Sequence, residues 1–152
     1  MFKLFTSLLI IISFAFSLNT KNQTNEPHFT KIIQGNHSNI LKNSNIVINN
    51  DNELSNLLNK INAVNTNPYN KPNIDFNKQQ VIGLFMGSQN IEGYKIKILN
   101  VTYNKTETIV SYFYMDPSAT TKTKNEMIVS QPFILATIKK TNNPIKFIMA
   151  KC

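Results

Sequence analysis

The sequence predicts an α+β fold, mainly an antiparallel β sheet or small β sandwich with one packed α-helix. Three observations predict it. Short runs rich in β-branched and aromatic residues recur from Phe29 to Met149, bounded by Asn, Gly and Pro turn signals. One stretch, Asp51 to Ile61, spaces its apolar residues for a helix. The connections between the apolar runs are short and polar, which favours antiparallel neighbours. At 152 residues the chain is one domain by length.

The amino terminus has the layout of an export signal. Met1-Phe2-Lys3 is a short positive segment, and Leu4 to Phe16 is an almost unbroken apolar run of 13 residues. Ala15 and Ser17 are small enough for the −3 and −1 positions of a cleavage before Leu18. The run is shorter than the ~20 apolar residues that span a bilayer. No cysteine stands at the cleavage point to take a lipid. The expected division is residues 1–17 as signal peptide, 18–28 as a polar flexible leader and 29–152 as one β-rich domain. The expected location is secreted or periplasmic, with no stable membrane insertion after cleavage. A domain of about 135 residues buries ~65–70% of its unfolded surface, enough for a core without disulfides. The one cysteine, Cys152, is the last residue, so any disulfide would join two chains.

Along the mature chain, Phe29 to Gln34 reads as a strand and Gly35 to Ser38 as a turn. Ile46 and Ile48 alternate within a second strand. Asn50 then suits a helix N-cap, with Glu53 three residues on as in a capping box. Asp51 and Glu53 place negative charge where the helix dipole favours it. Leu54, Leu57, Leu58 and Ile61 form one apolar stripe, and burying it is worth on the order of 6–12 kcal/mol before chain entropy is subtracted. That stripe must lie against a sheet. Pro68 and Pro72 mark the loop that follows.

Val81 to Met86 is nearly continuous in apolar residues, as a central strand requires. Tyr94, Ile96 and Ile98 alternate with lysines, then the phase shifts to Leu99, Val101 and Tyr103. That shift predicts a bulge near Ile98–Asn100. Thr108 to Met115, Phe133 to Ile138 and Ile145 to Met149 read as the remaining strands. Asp116-Pro117-Ser118 is a turn signal, Thr120 to Asn125 a polar loop and Lys139 to Pro144 a turn.

The charge balance is basic, with 16 Lys+Arg against 8 Asp+Glu and a net charge of +8, or +7 once Lys3 leaves with the signal. Every basic residue is lysine. Nucleic-acid readers rely on arginine for bidentate and stacking contacts, and the lysines are scattered. A solvated basic surface is therefore expected, with no nucleic-acid partner.

Catalytic chemistry is sparse. The two histidines are His28, at the end of the leader, and His37, beside Ser38 in a turn. A nucleophile needs a positioned base, and a turn histidine is ordinarily just solvated. Cys152 lacks a scaffold to fix a thiolate. The carboxylates do not pair locally except Asp51 and Glu53, which serve the helix start. No His/Cys cluster has zinc-site spacing, and no segment matches a calcium loop. Four glycines cannot make a phosphate-cradling loop. No cofactor is expected. Tyr112 and Tyr114 share one face of their strand, opposite Phe113. That pair is either a partner-binding surface or the cover of the sheet's second face.

Several short motifs together resemble one family. Asn73-Ile74-Asp75-Phe76 precedes the Val81-Ile82-Gly83 strand. Gly87 follows it, and Gly93-Tyr94 leads into an alternating strand. Gln131-Pro132-Phe133 opens another strand, and Ile145 to Phe147 closes the set. This pattern resembles the C-terminal domain of the PrcB family of protease-complex subunits, over roughly Ile32 to Phe147. Glu92 departs from the family's double glycine before the tyrosine. The resemblance implies a bacterial, envelope-located or secreted, non-catalytic accessory protein. Asp75, Phe76, Gly87, Gly93, Tyr94 and Pro132 would then be scaffold. The glycines free the backbone at turns, and Phe76 and Tyr94 pack the core with the Tyr hydroxyl on a polar partner. Asp75 accepts backbone N–H groups.

The expected function is thus a binding module that docks onto another exported protein, stabilising or docking onto a secreted protease, by strand addition at a sheet edge. The alternatives are a small exported hydrolase with an unrecognised site and a structural envelope component.

Overall fold

The computed structural model describes residues 28–117 and 129–150. The expected export signal, most of the expected leader, the Thr120–Asn125 stretch and Cys152 lie outside them. The order is β1 (Phe29–Gly35), β2 (Ser44–Ile48), α1 (Asp51–Asn62), β3 (Gln79–Phe85), β4 (Lys95–Tyr103), β5 (Thr108–Met115), β6 (Phe133–Lys139) and β7 (Ile145–Met149). The fold is α+β and sheet-dominated, as the sequence predicts. No helix among the described residues is long and apolar enough to cross a membrane.

The strands form a four-stranded sheet, β1-β6-β3-β2, and a three-stranded sheet, β4-β5-β7. Two cores show how they stack. On one side of the larger sheet, Val81, Phe85, Phe133 and Leu135 meet Leu54, Leu58 and Ile61 of α1. On the other side, Ile82, Leu84, Ile134, Ala136 and Ile138 meet Ile96, Ile98, Val101, Val110 and Tyr112 of the smaller sheet. The molecule is therefore three layers: helix, four-stranded sheet, three-stranded sheet. β3 and β6 are apolar at successive positions because the middle layer is buried on both faces.

Local chemistry sets the helix where the sequence places it. The Asn50 side chain accepts the Glu53 N–H at 2.9 Å, and Glu53 accepts the Asn49 N–H at 2.8 Å. Two of the amide donors around the first turn are thus satisfied. The β4–β5 hairpin closes around Asn104, whose side chain accepts the N–H groups of Thr106 and Glu107. In β4 the ladder to β5 shifts between Ile98 and Asn100, so Leu99 is the bulged residue the sequence anticipates. A second bulge lies in β1 between Lys31 and Ile33. It turns both Ile32 and Ile33 toward the helix-side core.

One pairing departs from expectation. β7 runs parallel to β5, with Thr108 opposite Ile145 and Tyr112 opposite Met149. The Lys139–Pro144 turn does reverse the chain, but it also carries it from the larger sheet to the smaller. β7 therefore returns beside β5, not beside β6, and two reversals restore the direction of β5. A short polar turn encodes the reversal and says nothing about which sheet receives the next strand.

Candidate functional site

The residues of the family-like motif are dispersed and structural in their contacts. Asp75 is exposed, and one carboxylate oxygen accepts the Asn77 N–H at 3.1 Å in the turn before β3. That backbone bond, assisted by Lys78 at 3.3 Å, holds its carboxyl below the usual carboxylate range. Phe76 is half-buried against the helix-side core. Gly87 and Gly93 both have positive φ, 77° and 99°. Pro132 is buried, and its carbonyl accepts the Met86 N–H at 3.0 Å. Tyr94 departs from expectation: it is half-buried and belongs to neither core among the described residues. β4 begins one residue later, so Tyr94 stands at the entry to the strand and outside its alternation.

Tyr112 and Tyr114 also need correction as a partner surface. They point between the sheets, where Tyr112 is 5% exposed and Tyr114 half-buried. Their rings pack at 5.6 Å. The Tyr114 hydroxyl accepts from Asn43 Nδ2 at 2.6 Å, and the Tyr112 hydroxyl accepts from Asn45 Nδ2 at 3.2 Å. The two tyrosines thus tie β5 to β2 and its lead-in segment across the layers. Burial pushes the Tyr114 hydroxyl up to about 12, with the Asn43 amide opposing and Tyr112 reinforcing the rise. Of the two readings the sequence leaves open, covering the sheet's inner face is the one the burial supports.

The histidines have local roles. Ser38 beside His37 is fully buried, and its Oγ accepts the Ile40 N–H at 3.2 Å. The His37 main chain, not its ring, is engaged, its carbonyl accepting Asn65 Nδ2 at 2.8 Å. His28 belongs to the fold and not to the leader. Its ring packs edge-on against Tyr103 at 5.8 Å, and its carbonyl accepts the Tyr103 hydroxyl at 3.5 Å. Among the described residues, no three His, Cys, Asp or Glu side chains gather as a metal site would need.

A groove among the described residues lies where the sequence gives no hint of one. β1 and β4 are edge strands of different sheets, and side chains tie them at two points. Gln34 Nε2 reaches the Ile96 carbonyl at 3.3 Å near one end, and the Tyr103 hydroxyl reaches the His28 carbonyl at 3.5 Å near the other. These two ties run β1 and β4 in opposite directions across a seam without a backbone ladder. Between them opens a groove of about 460 Å³. Its floor includes the buried Ile96, Ile98 and Ile134, with Phe29 and Met115 at the sides. Lys31, Lys95 and Lys97 complete the lining together with Gln34, and no carboxylate among the described residues lines it. Lys31 Nζ donates to Gln34 Oε1 at 3.1 Å, and Lys97 Nζ stands 6.0 Å over the Phe113 ring. The described ion pairs are Lys71–Asp51 and Lys78–Asp75, both elsewhere.

Two other features stand apart from this groove. A polar hollow of about 420 Å³ lies beyond Tyr103, bordered by His28, Lys139, Lys140 and Asn143. Lys140 Nζ is already committed to the Phe76 carbonyl at 2.6 Å. On the smaller sheet, exposed Leu99 (47%) and Ile148 (41%) flank Ser111 on the outer face, and Met149 is 52% exposed at the end of β7. No family model, curated protein or solved structure matches the chain.

The sequence missed the groove because its parts are far apart. The Lys95-Ile96-Lys97-Ile98 alternation reads only as an edge-type strand. Nothing local brings Lys31 and Phe29 alongside it.

Proposed function

We propose that the protein is an exported, non-catalytic accessory module that docks onto another exported protein, a secreted protease being the partner implied by its resemblance to the PrcB family. The observation that carries this reading is the outer side of the smaller sheet. β7 is an edge strand, and its outward edge pairs with no strand among the described residues. On the outer face of the smaller sheet Leu99 and Ile148 expose apolar surface, with Lys97 and Lys146 on the same side, and Met149 is exposed at the end of β7. An extended partner segment can add to such an edge through main-chain bonds and gain specificity from alternate side chains. The lysines favour an acidic segment on the partner. The dispersal of the described histidines and carboxylates supports a role without bond-breaking chemistry.

The test is affinity capture after mild cross-linking, from the native envelope or medium, with Ile148→Lys and Met149→Asp variants as controls. One stoichiometric partner, lost with both variants, is the expected outcome. Recovery of the protein alone across a range of salt concentrations overturns the docking reading.

A further inference from the structure

We propose that the groove between β1 and β4 is a binding site for a free long-chain carboxylate. This goes beyond the docking reading and rests on a different strand edge, with Lys97 bordering both and the β7 edge in neither groove wall, so either can fail without the other. The floor of Ile96, Ile98 and Ile134 suits an alkyl chain lying along the seam. Its volume of about 460 Å³ lies within the ~300–1,000 Å³ of small-ligand pockets. Among the described residues the polar complement is of one sign: Lys31, Lys95 and Lys97 line the groove and no Asp or Glu does. Lysines bury their stems on apolar surface and keep the ammonium at the rim, which is the arrangement an amphiphilic anion requires. Lys97 has its ammonium over Phe113, so Lys31 and Lys95 are the headgroup ligands.

An extended peptide fits this groove less well. The Gln34 amide already occupies the Ile96 carbonyl, and the Tyr103 hydroxyl occupies that of His28. A strand entering between β1 and β4 would have to displace both ties, whereas an alkyl chain needs no backbone partner and leaves them intact. Glutamine 34 also holds Lys31 through its Oε1 at 3.1 Å, which places that ammonium at the Ile96 end.

The experiment is titration of the purified protein with cis-parinaric acid, followed by its fluorescence, and displacement by palmitate. Saturable one-to-one binding is expected, competed by palmitate and far more weakly by hexadecanol. Each two methylenes removed from the competitor weaken it roughly tenfold. The paired Lys31→Gln, Lys95→Gln variant weakens palmitate at least tenfold, and Met115→Glu abolishes binding. Lys60→Gln, on α1 across the larger sheet from the groove, leaves it unchanged. Circular dichroism melts confirm that each variant folds. Absence of binding, equal binding by all variants, or displacement of the probe by an acidic peptide but not by palmitate each overturns the proposal.

Discussion

Replacing Gly87 with alanine destabilises the fold by about 2–3 kcal/mol, and the structure supplies both parts of that figure. Gly87 is buried just after β3 with φ at 77°, where an L side chain is strained. That conformation costs an alanine about 1–2 kcal/mol. A Cβ there would also lie 2.8 Å from the Asn43 nitrogen and 2.8 Å from the Leu41 carbonyl oxygen. Both are backbone atoms, so no rotamer change relieves the contact. The segment leading into β2 must shift, and the Ser88 N–H bond to the Leu41 carbonyl, 3.0 Å long, is lost with it. Losing such a bond adds roughly 1 kcal/mol. Urea denaturation followed by circular dichroism measures the sum, with Ser88→Ala as a neighbouring control expected within about 0.5 kcal/mol of the parent. A Gly87→Ala change below about 0.5 kcal/mol would refute both the backbone strain and the close approach.

Asn50→Ala removes the side chain that caps α1 at 2.9 Å and should cost about 1 kcal/mol in the same denaturation assay; an unchanged midpoint would mean that Glu53 alone holds the helix start. Alkaline stability should track Tyr114, whose hydroxyl is pushed up from 10.0 to about 12 in the folded chain. Between those values the unfolded chain loses that proton while the folded chain keeps it. The unfolded state then binds fewer protons, so stability falls as pH rises through this window, and the group contributes no pH dependence below it. Two full pH units correspond to ~2.7 kcal/mol, and solvent screening of the half-buried ring reduces this to about 1 kcal/mol. Tyr114→Phe should therefore flatten the decline in stability between pH 10 and 12, and identical pH profiles for parent and variant would count against this origin.

What was legible in the sequence was local. The Leu54–Ile61 stripe and the Asn50 cap identify α1 because helix spacing and capping are encoded within one turn of chain. The unbroken apolar run of β3 announces a strand buried on both faces. The phase shift around Leu99 announces a bulge, because one extra residue must exchange inward and outward positions. The same signal stands in Lys31-Ile32-Ile33, where two successive isoleucines face one core, although alternation alone does not single it out. What the sequence withheld depends on contacts between distant segments. The direction of β7 follows from which sheet receives it. The burial of Tyr112 and Tyr114 follows from Asn43 and Asn45 arriving opposite them. The groove needs the edges of β1 and β4 brought near each other, and the alternation within each strand is equally consistent with many neighbours.

The two bulges also explain why the seam stays open. One lies in β1 and the other in β4, the two strands that flank it. A bulge bends its strand and raises the local twist, so these two strands meet through side-chain ties near their ends and leave a groove between. Lysines beside such a seam have a second explanation, since charge on edge strands discourages aggregation. Charge reversal separates the two roles. A glutamate guards an edge as well as a lysine does, so Lys31→Glu with Lys95→Glu should leave the protein monomeric by light scattering if edge protection is their whole purpose. An anion site cannot survive the same change, because the headgroup would meet two carboxylates in place of two ammonium groups. Palmitate displacement should then fall below that of the paired glutamine variant. Glutamate and glutamine variants that bind palmitate alike would leave the lysines as edge protection and remove the electrostatic part of the site.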